Sequence, residues 1–299
     1  MEIRLAKFTK SINDEDITIT FLNELSVEQF NTFQKAIITI EELKSIRRLR
    51  DFVTQNDEDI IEMLNNSLKD LVAKSLNSWY NVKNDDNDPC FKNANRLLLN
   101  YLSSIRTFLD HSETFIKRKY GNKSKQFSDY KTIQSYFYDN SFAYRFFYKL
   151  RNYSQHIGIP IDIFYFTTKY NNENNSIKGT LKVAFDRDKL IHNYDSWGIV
   201  KKDLISQNQE FDLTPLIFEM THNIREMEKN IEIIHKNELL KAANYITNLI
   251  SHIATDKESE IFVAFEFKKN ENGELEQYSS QHIPFDMIYF IQNELDKNF

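Results

Sequence analysis

Only five glycines occur in 299 residues, at positions 121, 158, 179, 198 and 273, and none lies close to another. An average globular chain carries roughly 7% glycine. Their isolation excludes G-x-G-x-x-G, the Walker A loop and the G-x-S-x-G elbow. Each of these needs closely spaced glycines to bring backbone N–H groups onto a phosphate or to form a strained turn. Proline is equally scarce, with four residues, and so few turn formers favour long helices over a turn-rich β fold. The single cysteine, Cys90, allows neither an intrachain disulfide nor a cysteine-based zinc site. No apolar run approaches the ~18 residues of a membrane span, and the opening M-E-I-R-L-A-K-F-T-K lacks a signal-peptide core. A cytoplasmic protein with no membrane association is expected. Metal motifs are thin as well. Glu232-Ile-Ile-His235 is a single Glu-x-x-His, His222 and Glu226 form one helical pair, and H-E-x-x-H is absent. No metal and no cofactor are expected.

The chain does have aromatic mass, with 24 Phe and 15 Tyr, and 41% hydrophobic residues overall, enough for one large core or two modest ones. Residues 17–22 alternate as a short strand. Ser26-x-x-Gln29 is a capping-box signature for a helix running to about Thr54, with Arg47, Arg48 and Arg50 suited to its C-terminus. A second helix is expected from Asp57 to Val82, and N-D-D-N-D-P then reads as an ordinary acidic turn, since the glycine and distal glutamate of a calcium loop are missing. A third helix spans about Lys92 to Tyr120 and stops at Gly121. Asp129–Tyr138 forms a short helix, and Ser141–Pro160 an amphipathic one. Beyond Pro160, strands are expected at Ile161–Thr168, Ile177–Asp186 and Glu260–Lys269. A helix starts at Thr214-Pro215, breaks near Lys236 and ends about Ala254, and a last one opens at Pro284. The fold class is therefore mainly α. Residues 1–160 are expected to form a helical bundle, with a smaller α+β part over 161–299.

Net charge is −6, which disfavours indiscriminate nucleic-acid binding. Between Arg96 and Arg151, however, eleven Lys/Arg face only four Asp/Glu. This basic segment ends on the stretch S-F-A-Y-R-F-F-Y-K-L-R-N-Y-S-Q-H-I-G-I-P, Ser141–Pro160. Arg-x4-His occurs three times, at Arg106–His111, Arg151–His156 and Arg187–His192, so context must choose. Arg187–His192 falls at a strand end or loop and is set aside. Within the helix, Phe142, Phe146, Leu150, Tyr153 and Ile157 form one narrow stripe, the core face. Arg151, Tyr144, Gln155, Tyr148, Asn152 and His156 lie on the other side. Arg151 and His156 are about 140° apart on an ideal helix, so they flank a strip and suit a site shared between two copies better than a dyad within one. Arginine supplies a planar fork of donors to a phosphate, and histidine exchanges a proton near neutral pH.

Arg151, Asn152 and His156 resemble the signature of the HEPN superfamily, Arg-x(4–6)-His with a polar residue after the arginine. The preceding long helix with Arg106, Asp110 and His111 matches more loosely, over roughly Asn93–Pro160. The resemblance implies a HEPN-like helical bundle and a metal-independent endoribonuclease. Its RNA substrate would be cleaved by 2′-OH attack, at a composite site on a homodimer interface. By position Arg151 would bind phosphate, His156 transfer the proton and Asn152 orient, with Tyr148, Arg106, Asp110 and His111 in support. Arg145, Lys149, Lys117, Arg118 and Lys119 would contact the RNA backbone. A toxin–antitoxin or anti-phage defence role, with an antitoxin or other defence-system protein as partner, is implied. The alternative is a non-catalytic HEPN-like adaptor that binds RNA or protein.

Overall fold

In a computed structural model, residues 2–10, 17–75, 88–171, 173, 176–251 and 260–295 are described. In chain order the elements are β1 (Glu2–Lys10), β2 (Ile17–Glu24), α1 (Val27–Ser75), α2 (Pro89–Tyr120), α3 (Lys125–Asn140), α4 (Phe142–His156), β3 (Ile163–Asn171) and β4 (Ser176–Asp186). There follow α5 (Arg187–Asn193), α6 (Val200–Ser206), β5 (Glu210–Asp212), α7 (Leu213–Ile250), β6 (Glu260–Lys269), β7 (Leu275–His282) and α8 (Phe285–Phe290), which runs into a π turn at Ile291–Leu295. The protein is mainly α with a smaller β part, as the scarcity of turn formers implied. No described helix is long and apolar enough to cross a membrane.

The chain divides into two compact units, Met1–Ser45 with Glu232–Phe299, and Ile46–Ile231. The division falls inside α1 and inside α7. It does not coincide with the expected cut after residue 160, because strands from both chain ends pair with one another. In the first unit β1 lies between β2 and β6, in the antiparallel order β2-β1-β6-β7, with Leu5 opposite Ala264. Ile3, Leu5, Phe30, Phe33, Ile246, Phe262 and Ile288 join in its core.

The second unit holds the helices that carry the Arg-x4-His motifs. Where a helix end at Thr54 and a new start at Asp57 were expected, α1 continues unbroken. The physical reason is a buried stripe, Ile46, Val53, Ile60 and Leu71, with no Gly or Pro between them to interrupt it. Arg47 and Arg50 do not cap a terminus. They reach Glu228 on α7 at 3.6 and 2.8 Å. The acidic turn expected before Pro89 lies mostly outside the described residues, but its last member, Asp88, caps α2 by accepting from the N–H groups of Cys90 and Phe91. Likewise α7 runs through Lys236 without a break, since Leu239, Ala243 and Ile246 continue its buried face. The motif at Arg187–His192 stands on α5 rather than at a strand end.

The core of this unit is aromatic. Phe146 on α4 stacks on Trp197 at 6.0 Å and 13°, and meets Phe185 and Phe211 edge-on at 5.1 and 5.4 Å. These last two are register partners on β4 and β5. Trp197 donates its indole N–H to Leu190 O at 2.8 Å, satisfying the only polar group on a fully buried ring. Tyr153 adds a second stack on Trp197 at 5.9 Å. We expect Phe146→Ala to destabilise the protein by about 3–5 kcal/mol, the usual cost of truncating a packed aromatic, in urea unfolding followed by circular dichroism. A loss under about 1 kcal/mol would contradict the central place given to this ring.

Candidate functional site

α4 is fixed at both ends. At its start the Ser141 hydroxyl accepts from Tyr144 N–H at 3.1 Å and from the Asn223 amide at 2.8 Å, and donates to Glu219. Ser141 is therefore both helix cap and anchor to α7. At its end His156 is the last helical residue. Ile157, Gly158 and Ile159 are exposed, and Pro160 is buried. Ile161 then donates its N–H to the buried Asn95 amide oxygen on α2 at 3.1 Å.

Between these ends the polar face differs from the ideal wheel in two places. Tyr144, expected outside, is 3% exposed, and Ile157, expected in the core, is 45% exposed. The cause is α3. Its Phe137 stacks on Tyr144 at 6.3 Å, so the buried arc is wider on that side, and the helix ends before Ile157 can reach the core.

The structure brings together three of the supporting residues. The Arg106 guanidinium lies over the Tyr148 ring, 4.9 Å from its centroid, and donates to Asp110 at 2.8 Å. Burial works against the Arg106 charge, but its bonds to Tyr148 and Asp110 outweigh that and push its pKa further up. The exposed Asp110 limits what the ion pair contributes to stability, so its chief effect is to aim the guanidinium at Tyr148.

One turn along α4 from Tyr148 stands Arg151, half-buried. No hydrogen bond, ion pair or ring contact joins its side chain to another described residue. Asn152 is half-buried and His156 exposed, and they are equally without partners among the described residues. His111 is exposed on α2 and unpartnered in the same sense.

Other expected contacts are placed elsewhere. Arg145 bonds Asp203 on α6 at 2.9 Å and Tyr138 O, with its side chain 13% exposed. It holds α4 to α6 and has no fork left to offer. Lys149 is half-buried with no partner among the described residues. Lys117, Arg118 and Lys119 form the last turn of α2, closed by Gly121 at φ 86°. Because the segment after α4 is caught by Asn95 at Ile161, near the start of α2, these three cations lie roughly 35 Å along the helix from that point, at 1.5 Å per residue. They are a separate basic patch. Among the described residues no group of three or more His, Cys, Asp or Glu converges as a metal site.

The missed feature is the buried hydroxyl set beneath the polar face. Tyr101 bonds Thr221 at 2.8 Å and Ile217 O at 3.1 Å, and Tyr130 donates to Leu109 O at 3.2 Å. Burial pushes the phenol pKa values of Tyr101, Tyr130 and Tyr144 well above the ordinary 10.0, with neighbouring phenols and carboxylates adding to it. In sequence these are indistinguishable from the other tyrosines on the same helices.

With this geometry in hand, comparison with known proteins finds no matching family model, curated protein or solved structure.

Two outcomes are expected. Arg145→Ala destabilises by about 1–3 kcal/mol, the loss of a charge-assisted hydrogen-bond set, whereas Arg151→Ala changes stability by no more than about 0.5 kcal/mol; equal effects in urea unfolding would refute the distinction. A phenol raised in the folded state favours folding fully below its unfolded pKa and loses that contribution as pH rises. Stability should therefore fall above about pH 10, with three tyrosines ionising only as the protein unfolds in ultraviolet difference spectra. Smooth ionisation of all tyrosines ahead of unfolding would contradict it.

Proposed function

We propose that the protein is a metal-independent endoribonuclease whose site is built on the outer face of α4. The observation that supports this reading is Arg151. A half-buried guanidinium with no counter-ion among the described residues is poised for an anion from outside, and its planar fork fits two phosphate oxygens. His156 stands at the open end of the same helix, with Asn152 between them in sequence and Tyr148, held by Arg106, one turn away.

The chemistry follows from these groups. His156 takes the proton of the ribose 2′-OH, whose oxygen attacks the adjacent phosphorus. The P–O5′ bond breaks, leaving a 2′,3′-cyclic phosphate on one fragment and a 5′-OH on the other. The leaving oxygen receives its proton from a second histidine, supplied by another copy of the chain. Arg151 stabilises the extra negative charge on the pentacovalent phosphorus. The nucleophile belongs to the substrate, so no metal is required to generate it. The 140° between Arg151 and His156 on one helix is the reason for a homodimer, in which the arginine of one copy works with the histidine of the other. A toxin or anti-phage role, with a partner protein restraining it, is the biological setting this activity fits.

Purified protein incubated with RNA in EDTA should yield fragments ending in 2′,3′-cyclic phosphate. His156→Ala should lower the rate by about 10²–10⁴, the usual contribution of a general acid–base. Mixing Arg151→Ala with His156→Ala should leave the rate low, because a mixed dimer keeps only one of the two histidines that the proton transfers use. Intact RNA with the wild type, or equal cleavage by His156→Ala, rejects the nuclease; RNA retention without cleavage would favour a binding adaptor instead.

A further inference from the structure

A groove of about 300 Å³ lies between α1 and α2, lined by Phe52, Asn56, Asn100, Ser103, Ser104 and Thr107 with Leu49 at its edge. Its size is at the lower bound of small-molecule sites. None of these side chains carries a charge, so the groove suits neither a phosphate nor a metal ion. Phe52 is 51% exposed and offers a flat apolar surface that no other described ring covers.

The hydrogen-bonding groups have a direction. The Asn56 amide N–H₂ donates to Phe52 O at 2.7 Å, Ser104 to Tyr101 O at 2.8 Å and Thr107 to Ser103 O at 2.9 Å. Each spends a donor on its own helix, and for Asn56 the carbonyl partner fixes which end of the amide is nitrogen, leaving one of its two N–H groups free. What remains for a ligand is mostly acceptors, the Asn56 amide oxygen and the Ser104 and Thr107 hydroxyl oxygens, with the second Asn56 N–H as a donor beside them. The Asn100 and Ser103 side chains bond no other described residue and can turn either way. The groove therefore presents an aromatic face and a set of acceptors to something flat, uncharged and rich in N–H donors.

Its position relates it to the α4 site. Thr107 follows Arg106, whose guanidinium crosses to Tyr148 on α4. On α2, Ser103 and Thr107 line the groove while Arg106 faces α4. The groove and the polar face of α4 thus flank α2 about one helix-packing distance, ~10 Å, apart.

We infer that the groove between α1 and α2 binds an RNA base bearing an exocyclic amino group, adenine, cytosine or guanine, stacked on Phe52 and read by Asn56, Asn100, Ser104 and Thr107. The link to cleavage rests on the nuclease reading above: a strand with its scissile phosphate at Arg151 lays a neighbouring base across α2 into this groove. Uracil, with a carbonyl in place of the amino group, offers these acceptors only its ring N3–H and binds less tightly.

The probe is a set of fluorescently labelled RNA octamers, oligo-A, oligo-C and oligo-U, titrated against the full-length His156→Ala protein so that none is cut. Oligo-A and oligo-C should bind at least about tenfold more tightly than oligo-U, and adding Phe52→Ala should weaken oligo-A about tenfold, within the range of one base–aromatic stack. Adding Asn100→Ala and Thr107→Val should narrow the preference while leaving oligo-U unchanged, with circular dichroism melts verifying that each variant is folded. Equal affinity for all three octamers, no binding of any, or a preference indifferent to these substitutions overturns the groove and leaves the nuclease to its own EDTA assay. A base preference that persists in a protein with no cleavage activity overturns the nuclease and leaves the groove standing.

Discussion

The rotation of α4 about its own axis is set by Phe146. Its ring touches Phe147, Phe142, Trp197, Phe185 and Phe211, so one side chain joins a helix, a strand pair and the segment between α5 and α6. Burying such a ring contributes about 1.5–3 kcal/mol, and each aromatic pair about 0.5–1.5 more. An exposed helical ion pair such as Arg106–Asp110 contributes about 0.3–0.5. The aromatic contacts therefore decide which way the helix faces, and the polar groups accept the outcome. With Phe146 inward, side-chain directions at 100° per residue send Tyr148, Arg151, Asn152 and Gln155 away from the core.

The second unit treats its cations in two ways. Arg145 is tied to Asp203, and Arg50 donates from Nη2 to the buried Glu228, whose other oxygen lies 2.8 Å from its Nε. These arginines are structural, since removing either partner leaves a charge away from water without compensation. Arg106 is intermediate, aimed by a carboxylate at a phenol. Arg151 has none of this among the described residues. Four arginines from similar helical contexts thus divide by what surrounds them, and only one is left to meet something outside the chain.

Much of the fold was legible. The strands Glu260–Lys269 and Ile177–Asp186 and the helix ending at Tyr120 follow from alternation, periodicity and a terminal glycine, which are local signals. Less legible were features set by partners far away in sequence. The continuity of α1 through Asp57 depends on contacts with α7, more than 150 positions on. β1 reads weakly because its identity as a strand comes from β6, at the other end of the chain. For the site, the wheel separated Arg151 from Phe146 but put Tyr144 outside and Ile157 inside, since it contained no α3. It also treated Arg145 and Arg151 alike, because nothing in F-A-Y-R-F-F-Y-K-L-R marks which arginine has Asp203 beside it. The α1–α2 groove was invisible for the same reason, as its two walls lie some fifty residues apart.

After His156 the chain crosses three exposed residues and is caught again at Ile161 by the Asn95 amide. This span has a fixed length between two fixed points. Trimming or adding a residue there cannot be absorbed by slack; it must either unwind the last turn of α4 and swing His156 off its bearing, or pull Ile161 from Asn95 and expose a buried amide. Among descendants of this sequence, length should therefore be frozen between His156 and Ile161 even where the side chains of Ile157 and Ile159 drift freely, so that spacing rather than composition records what this stretch is for.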